Sequence, residues 1–397
     1  MKPRIALVRG HHLSKEETLS YEPLLKEFDF VCFSSDNPWF DHSEISFPIR
    51  RLRSPEGMFR FMPRAIRNGL FGLMDNVTGA GQWMFGLESA LKGFDLVHVS
   101  DSSYFFVYQA AMAKKKLGFK LIAIHYENIP FARDHKPVAR YLKSQIYPRV
   151  DAFMAMSERA KAALELEGVN SEKIYVVGNA VDVQKFRPMP QQRLQWRQRF
   201  GFSEDDIVIL FVGRIRASKG IFELIYATKR LVMDPAIDAN RLKVVIAGRG
   251  PREKELFQRI RQLKLEEVVR FIGYVPHKEI HLLHNMTDIF TLPSIPRKYW
   301  QEQFGIVLIE SMACAKPVVT TFSGSIPEVV GDGALLVQPN DHLSLYYGLR
   351  ELILNESKRS ELASRARSRA LIHFDQNVIG RKIQAVFENV LKTKEPR

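Results

Sequence analysis

Cysteine is scarce: Cys32 and Cys314 are the only two in 397 residues. Both sit in apolar segments, which reads as two buried thiols rather than a disulfide and fits a reducing compartment. No Cys/His group has zinc-site spacing, and His11-His12 reads as loop rather than as a ligand pair. Long apolar runs are missing, so no segment reads as a membrane span. MKPRIALVRG carries one short apolar run followed by charge, unlike a secretory leader. A cytoplasmic protein is expected, free or peripheral on the inner face of the membrane. The phosphate loop GxxxxGK[ST] is absent, which removes the Walker class, and no Asp-x-Asp metal motif occurs. Acidic residues are outnumbered, 44 against 58 Lys and Arg, for a net charge of +14. That excess implies an anionic partner: a nucleotide, an acidic lipid surface or nucleic acid.

Against these absences stand two stretches with chemistry. Residues 299–321, YWQEQFGIVLIESMACAKPVVTT, read as a loop, a helix ended by Lys316-Pro317, and a β-branched strand. Glu302 and Glu310 enclose seven residues. With a helix starting near Phe304, Glu302 precedes its N-terminus and Glu310 lies in its second turn, roughly 9 Å further along. The amides of Phe304, Gly305 and Ile306 then lack intrahelical partners, and a helix start with free N–H groups suits phosphate. A phosphate seat between two hydroxyl-binding carboxylates matches the sugar, diphosphate and ribose of a nucleotide-sugar. The alternative is an ordinary amphipathic helix with two solvated glutamates. The second stretch, GRIRASKG (213–220), sets Arg214, Arg216 and Lys219 on a glycine-framed loop after a strand. Two fixed cations there would neutralise a diphosphate leaving group; the alternative is a basic turn. GRG (248–250) is too short for a dinucleotide fingerprint.

The whole chain alternates strands and helices, the pattern of parallel sheets wrapped by helices, and it does so twice. Polar residues with Pro188 and Pro190 (188–205) read as the linker between the halves. In open parallel sheets ligands bind at the carboxyl ends of strands. This puts His98, Asp101, His125 and Glu127 on the rim of the first sheet, and the backbone of Tyr274 and Val275 at a seat for a base. Any one of them taken singly also reads as a hydrogen-bonded structural residue. Arg50, Arg51, Arg53, Arg60, Arg64 and Arg67 face one acid, Glu56, within a stretch rich in Phe and Met. It reads either as a surface for anionic membrane or a lipid acceptor, or as a helix pair with solvated arginines. A second basic cluster, from Lys358 to Lys382, closes the chain.

In order, GNAVDVQKF, GRIRASKG, GRGPREKEL, RFIGYVP, EQFGIVLIESMACAKPVV and SIPEVVGDG resemble the motifs of family-four retaining glycosyltransferases, from about residue 170 to 341. The resemblance implies an α/β protein of GT-B fold: two Rossmann-like α/β/α domains facing across a cleft, with a C-terminal helix crossing back to the first. The expected divisions are 1–187 for the acceptor-side domain, 188–205 for the linker, 206–373 for the nucleotide-sugar domain and 374–397 for the crossover helix. Domain closure on the donor is expected, hinged at the linker and before the last helix. By the same resemblance Glu302 and Gln303 meet the donor sugar and Glu310 the ribose. Arg214 and Lys219, with the amides of Phe304, Gly305 and Ile306, meet the diphosphate, and His125 lies near the reacting sugar. The basic tail would join the 50–67 cluster in one positive face. The implied reaction moves a sugar from a UDP- or GDP-sugar, without metal or covalently bound cofactor, to a lipid or surface-polysaccharide precursor. The chain departs from many members after the first strand, where RGHHLSKEE carries Gly10 alone instead of a Gly-Gly pair. Other readings are a nucleotide-sugar epimerase or phosphorylase of the same fold, and a non-enzymatic protein binding anions or nucleic acid.

Overall fold

The computed structural model describes residues 2–59, 61–63, 66, 69, 82–101 and 104–393. The chain forms two compact units, Met1–Ala180 with Gln376–Arg397, and Val181–Asp375. The first unit holds seven strands: β1 Arg4–Gly10, β2 Asp29–Ser35, β3 Ile49–Leu52, β4 Leu96–Val99, β5 Lys120–His125, β6 Ala152–Ala155 and β7 Ile174–Val176. They pair in parallel in the order β3-β2-β1-β4-β5-β6-β7. Helices covering both faces explain why Ile5, Ala6, Leu7 and Val8 are all buried, with no polar face on the strand. The strand expected at 45–52 begins only at Ile49, at the sheet edge. Pro48 has no N–H to give the ladder, but its carbonyl accepts from Cys32 N at 2.8 Å.

The second unit holds six: β8 Ile207–Val212, β9 Leu242–Ala247, β10 Val269–Gly273, β11 Ile289–Leu292, β12 Val318–Thr321 and β13 Ala334–Val337. Their order is β10-β9-β8-β11-β12-β13, again parallel. Both sheets run outward from a first strand and then reverse, at β1/β4 and at β8/β11. Such reversal points are where strand-end loops diverge and leave a crevice for a ligand.

The stretch expected as a linker is instead folded. Helix α1, Pro190–Phe200, belongs to the second unit. Pro190 occupies its first turn, where a missing N–H costs nothing, and Gly201 closes it in a left-handed conformation. Arg197 on this helix is buried and donates to the carbonyls of Met286, Ser203, Glu204 and Asp206 and to the Asp288 carboxylate.

The last helix, α2, Gln376–Lys392, returns to the first unit. Its Phe387 is fully buried, with ring centroids 5.5 Å from His98, 5.6 Å from Phe28 and 6.4 Å from Tyr21. Both cysteines are buried free thiols, each pushed up to about 12 by desolvation. Among the described residues no helix is long and apolar enough to cross a membrane.

The expected cost of Phe387→Ala is about 3–5 kcal/mol, since the cavity forms beneath α2 where the ring packs on His98, Phe28 and Tyr21. Denaturant unfolding of the variant should show the first unit losing stability. An unchanged midpoint would mean that α2 is not part of that unit's core.

Candidate active site

The loop after β8 and the loop after β11 leave the second sheet side by side at its reversal point. Lys219 lies on the first and Glu302 on the second. Lys219 Nζ is 2.6 Å from Glu302 Oε2, and Ser294, which follows β11, donates its hydroxyl to the same oxygen at 2.6 Å. Glu302 is 6% exposed. The Lys219 ammonium and the Ser294 hydroxyl offset the cost of burying this carboxylate. Its backbone carbonyl also accepts from Ser325 N at 2.9 Å. Trp300 covers the cation, with Lys219 Nζ 5.0 Å from its ring centre. Two backbones touch here: Ile295 N donates to Ser218 O at 2.8 Å, and Gly220, at φ +69°, lies so close to Pro293 that a Cβ would meet its carbonyl at 1.8 Å. The GRG turn supports this arrangement from below. Gly213 N donates to Ala247 O and Ile215 N to Arg249 O, both at 3.0 Å. Arg214 is exposed on the same loop, its guanidinium held below its ordinary value by partial desolvation and by Arg216.

Helix α3, Ile306–Ala313, starts two residues later than the sequence suggested. Gly305 takes φ +84° as its N-cap, and Leu308 N already donates to Gly305 O at 2.8 Å. The first-turn amides without an intrahelical acceptor are therefore those of Ile306 and Val307. Phe304 contributes backbone only; its ring is buried 5.7 Å from Phe374. Gln303 is half-buried in the same loop.

Glu310 lies in the second turn of α3, as its spacing implied, but it is 2% exposed and already engaged. His277 Nε2 is 2.6 Å from one carboxylate oxygen, and His284 Nε2 is 3.9 Å from the other. Burial pushes this carboxyl up, yet the two imidazoles outweigh it and hold it at about 2. His277 opens the helix that follows Tyr274 and Val275, so the residues expected near a base lie three and two positions from the partner of Glu310. Tyr274 is largely exposed. Sequence reading overlooked His277, Ser294 and Trp300. Ser294 was findable, since it ends the strand beside the reversal point.

In the first unit the rim residues separate. His98 is not on the rim but wholly buried in the packing. It accepts from the Tyr21 hydroxyl at Nε2 (2.7 Å) and gives Nδ1–H to Ile122 O (3.3 Å), while Phe387 covers its edge. Strand alternation is the reason: Val97 and Val99 take one face, and His98 points to the face under α2. Asp101 and His125 do sit at neighbouring strand ends and are both buried. Burial holds the His125 imidazole below its ordinary value, against the pull of Asp101 and Glu167. Glu127 pairs with Arg133 at 3.3 Å. Gly10 ends β1, beside β4.

Arg50, Arg51 and Arg53 are exposed on and after the edge strand β3. Arg60, Arg64 and Arg67 lie outside the described residues. The tail cluster divides between the two units. Arg367 donates to the carbonyls of Phe186 and Ala313, and Arg369 to those of Val329 and Glu328, all inside the second unit. Of that cluster only Arg381 and Lys382 belong to the first unit. Guanidinium groups here satisfy carbonyls at the ends of helices and turns instead of facing a partner.

Two Rossmann-like units with this strand order, and a last helix returning to the first, define the GT-B fold of glycosyltransferases. The Anabaena protein HepE, solved in complex with UDP, matches over 98% of this chain and 100% of its own with a TM-score of 0.78, at 20% identity. Residues 27–185 match the family Glycosyltransferase Family 4, and residues 192–369 match Glycosyl transferases group 1. Both are glycosyltransferase families, and together the two matches take in most of the chain, one in each unit. A D-inositol 3-phosphate glycosyltransferase of Kineococcus radiotolerans is 32% identical over 59% of this chain and 57% of its own length. The putative colanic acid biosynthesis glycosyltransferase WcaL of Escherichia coli is 29% identical over 62% and 58%. The chain thus spans less than two thirds of the length of either relative.

Because Glu310 is held at about 2 in the fold and near 4.5 when free, it stabilises the second unit above pH 4.5. That contribution, up to about 3 kcal/mol, is lost as pH falls from 4.5 through 2. Unfolding free energies of wild type and Glu310→Gln should therefore converge across this window. A constant gap between them would show that the His277–Glu310 pair does not hold the carboxyl low.

Proposed function

We propose that the protein transfers a sugar from a nucleoside-diphosphate sugar to an acceptor, with retention at the anomeric carbon. The observation that carries this reading is the Lys219–Glu302 pair at the reversal point of the second sheet, next to the open amides of α3. Lys219, Arg214 and the amides of Ile306 and Val307 suit the diphosphate; Glu302 and Gln303 suit the sugar hydroxyls, and Glu310 with His277 the ribose. As donor binds, Lys219 exchanges Glu302 for the diphosphate, and Glu302 exchanges Lys219 for hydroxyl donors, so each group keeps a hydrogen-bonding partner. The bond from the anomeric carbon to the diphosphate breaks with its electrons passing to the phosphate oxygen. The acceptor oxygen then bonds to the same face, and its proton passes to the leaving diphosphate. The protein's part is positioning and charge stabilisation, with His125 beside the reacting sugar. The cations on the protein do the work that a divalent metal would otherwise do. The UDP in the Anabaena structure is a nucleoside diphosphate of the kind this site would release. The names of the relatives span an inositol phosphate and a polysaccharide, so the acceptor is sought in the first unit rather than borrowed from them.

The protein is further proposed to work at the inner face of the membrane. The patch of Arg50, Arg51 and Arg53 adjoins exposed Met58, Phe59 and Phe61, a mixture of cations and apolar side chains suited to an anionic lipid surface.

Incubation with UDP-, GDP- and ADP-sugars and a lipid extract should release nucleoside diphosphate from one donor, undiminished by chelator. Lys219→Ala and Glu302→Gln should each lower that release by about a hundredfold. Release that survives both changes would refute the site. Sedimentation with anionic vesicles should weaken roughly fivefold for each of Arg50, Arg51 and Arg53 changed to Ala, at about 1 kcal/mol per basic residue. Equal sedimentation of wild type and triple variant would refute the membrane surface.

A further inference from the structure

The loops after β1 and β2 carry a feature that the donor chemistry leaves unused. Trp39 is 62% exposed, yet its place is set by three contacts. Its backbone N donates to His11 O at 3.0 Å; its ring stacks on the His11 ring, centroids 3.7 Å apart and 18° from parallel; and His12 meets its edge at 4.8 Å. His11 is buried and its N donates to Gln82 Oε1 at 2.8 Å. Burial, with His12 beside it, pushes the His11 imidazole down to about 2, so the stack beneath the indole is uncharged at neutral pH. One face of the indole is thus covered and the ring is largely open to solvent.

Buried polar atoms at the neighbouring strand ends lack a hydrogen-bond partner among the described residues: Gln82 Nε2 and Ser100 Oγ. Gln82 is tied to the β1 loop through His11. Ser100 follows Val99, which pairs with Val8 of β1. Buried donors and acceptors cost free energy unless something satisfies them. A flat apolar face on a rim with two unsatisfied polar groups calls for a ligand with an apolar C–H face and hydroxyls around its edge.

We propose that Trp39, backed by His11, is the platform on which a pyranose ring of the acceptor stacks, with its hydroxyls reaching Gln82 and Ser100. The acceptor is then a glycoside, either a free glycan or the sugar head of a glycolipid. This rests on the transferase reading for its role in catalysis, but the binding itself does not require a donor.

The test is saturation-transfer NMR on the full chain with methyl glycosides of glucose, galactose, mannose and N-acetylglucosamine. Transfer to the ring C–H protons of at least one is expected, lost in Trp39→Ala and kept in Trp39→Phe. No transfer from any of them, or transfer unchanged in Trp39→Ala, overturns the proposal whether or not nucleotide release is seen. With the glycoside that binds as acceptor, Trp39→Ala should raise KM about tenfold with kcat little changed, and Trp39→Phe should restore it. Equal KM values would overturn the assignment to the acceptor. Presenting the same sugar free and on a lipid tail in vesicles then separates the two sources. If no donor is consumed while glycoside binding behaves as expected, the transferase reading fails and the platform stands.

Discussion

The close approach of Gly220 to the carbonyl of Pro293 is the contact on which the second unit's site depends. Any side chain at residue 220 would hold the loop after β8 away from the loop after β11. Only with those backbones touching do Lys219 and Glu302, 83 residues apart in the chain, come within 2.6 Å. Glu302 in turn is buried because Ser294 and Trp300 belong to the same loop and close around the pair. The glycine therefore acts through geometry: it permits the distance at which two desolvated charges neutralise each other.

Both units leave buried polar atoms without hydrogen-bond partners, but the carboxylates of the candidate donor site are engaged. In the second, each carboxylate of the candidate site has a partner: Lys219 and Ser294 for Glu302, His277 and His284 for Glu310. On the proposed reading a charged donor would enter such a site by exchanging partners, which would keep the desolvation cost small. In the first, the rim holds orphaned atoms around an aromatic face. A neutral, hydroxyl-rich ligand suits that rim as well as a diphosphate suits the other loop pair.

How much was legible follows from where the information lies. The Glu302–Glu310 spacing on one helix, the cations of 213–220 and the alternation of strands and helices are local, and they read directly. Pro190 misled because proline reads as a breaker, whereas at a helix start it loses nothing. His98 misled because its strand was right but its face was not; alternation decides the face only once the covering helix is known, and that helix comes from the far end of the chain. The arginines of the tail looked like a surface because sequence shows charge without showing carbonyls. Arg367 and Arg369 spend theirs on backbone oxygens of distant turns.

The sequence by itself determined the family, the order of the elements and the residue types of the donor loops, because periodicity and motif spacing are properties of neighbouring residues. Tertiary structure alone decided the pairings: that His277 holds Glu310, that Ser294 and Trp300 enclose the Lys219–Glu302 pair, and that His11 lies beneath Trp39. Those partners are chosen by which loops the two sheets bring to the same rim, and strand order is a global outcome of packing that no local window contains.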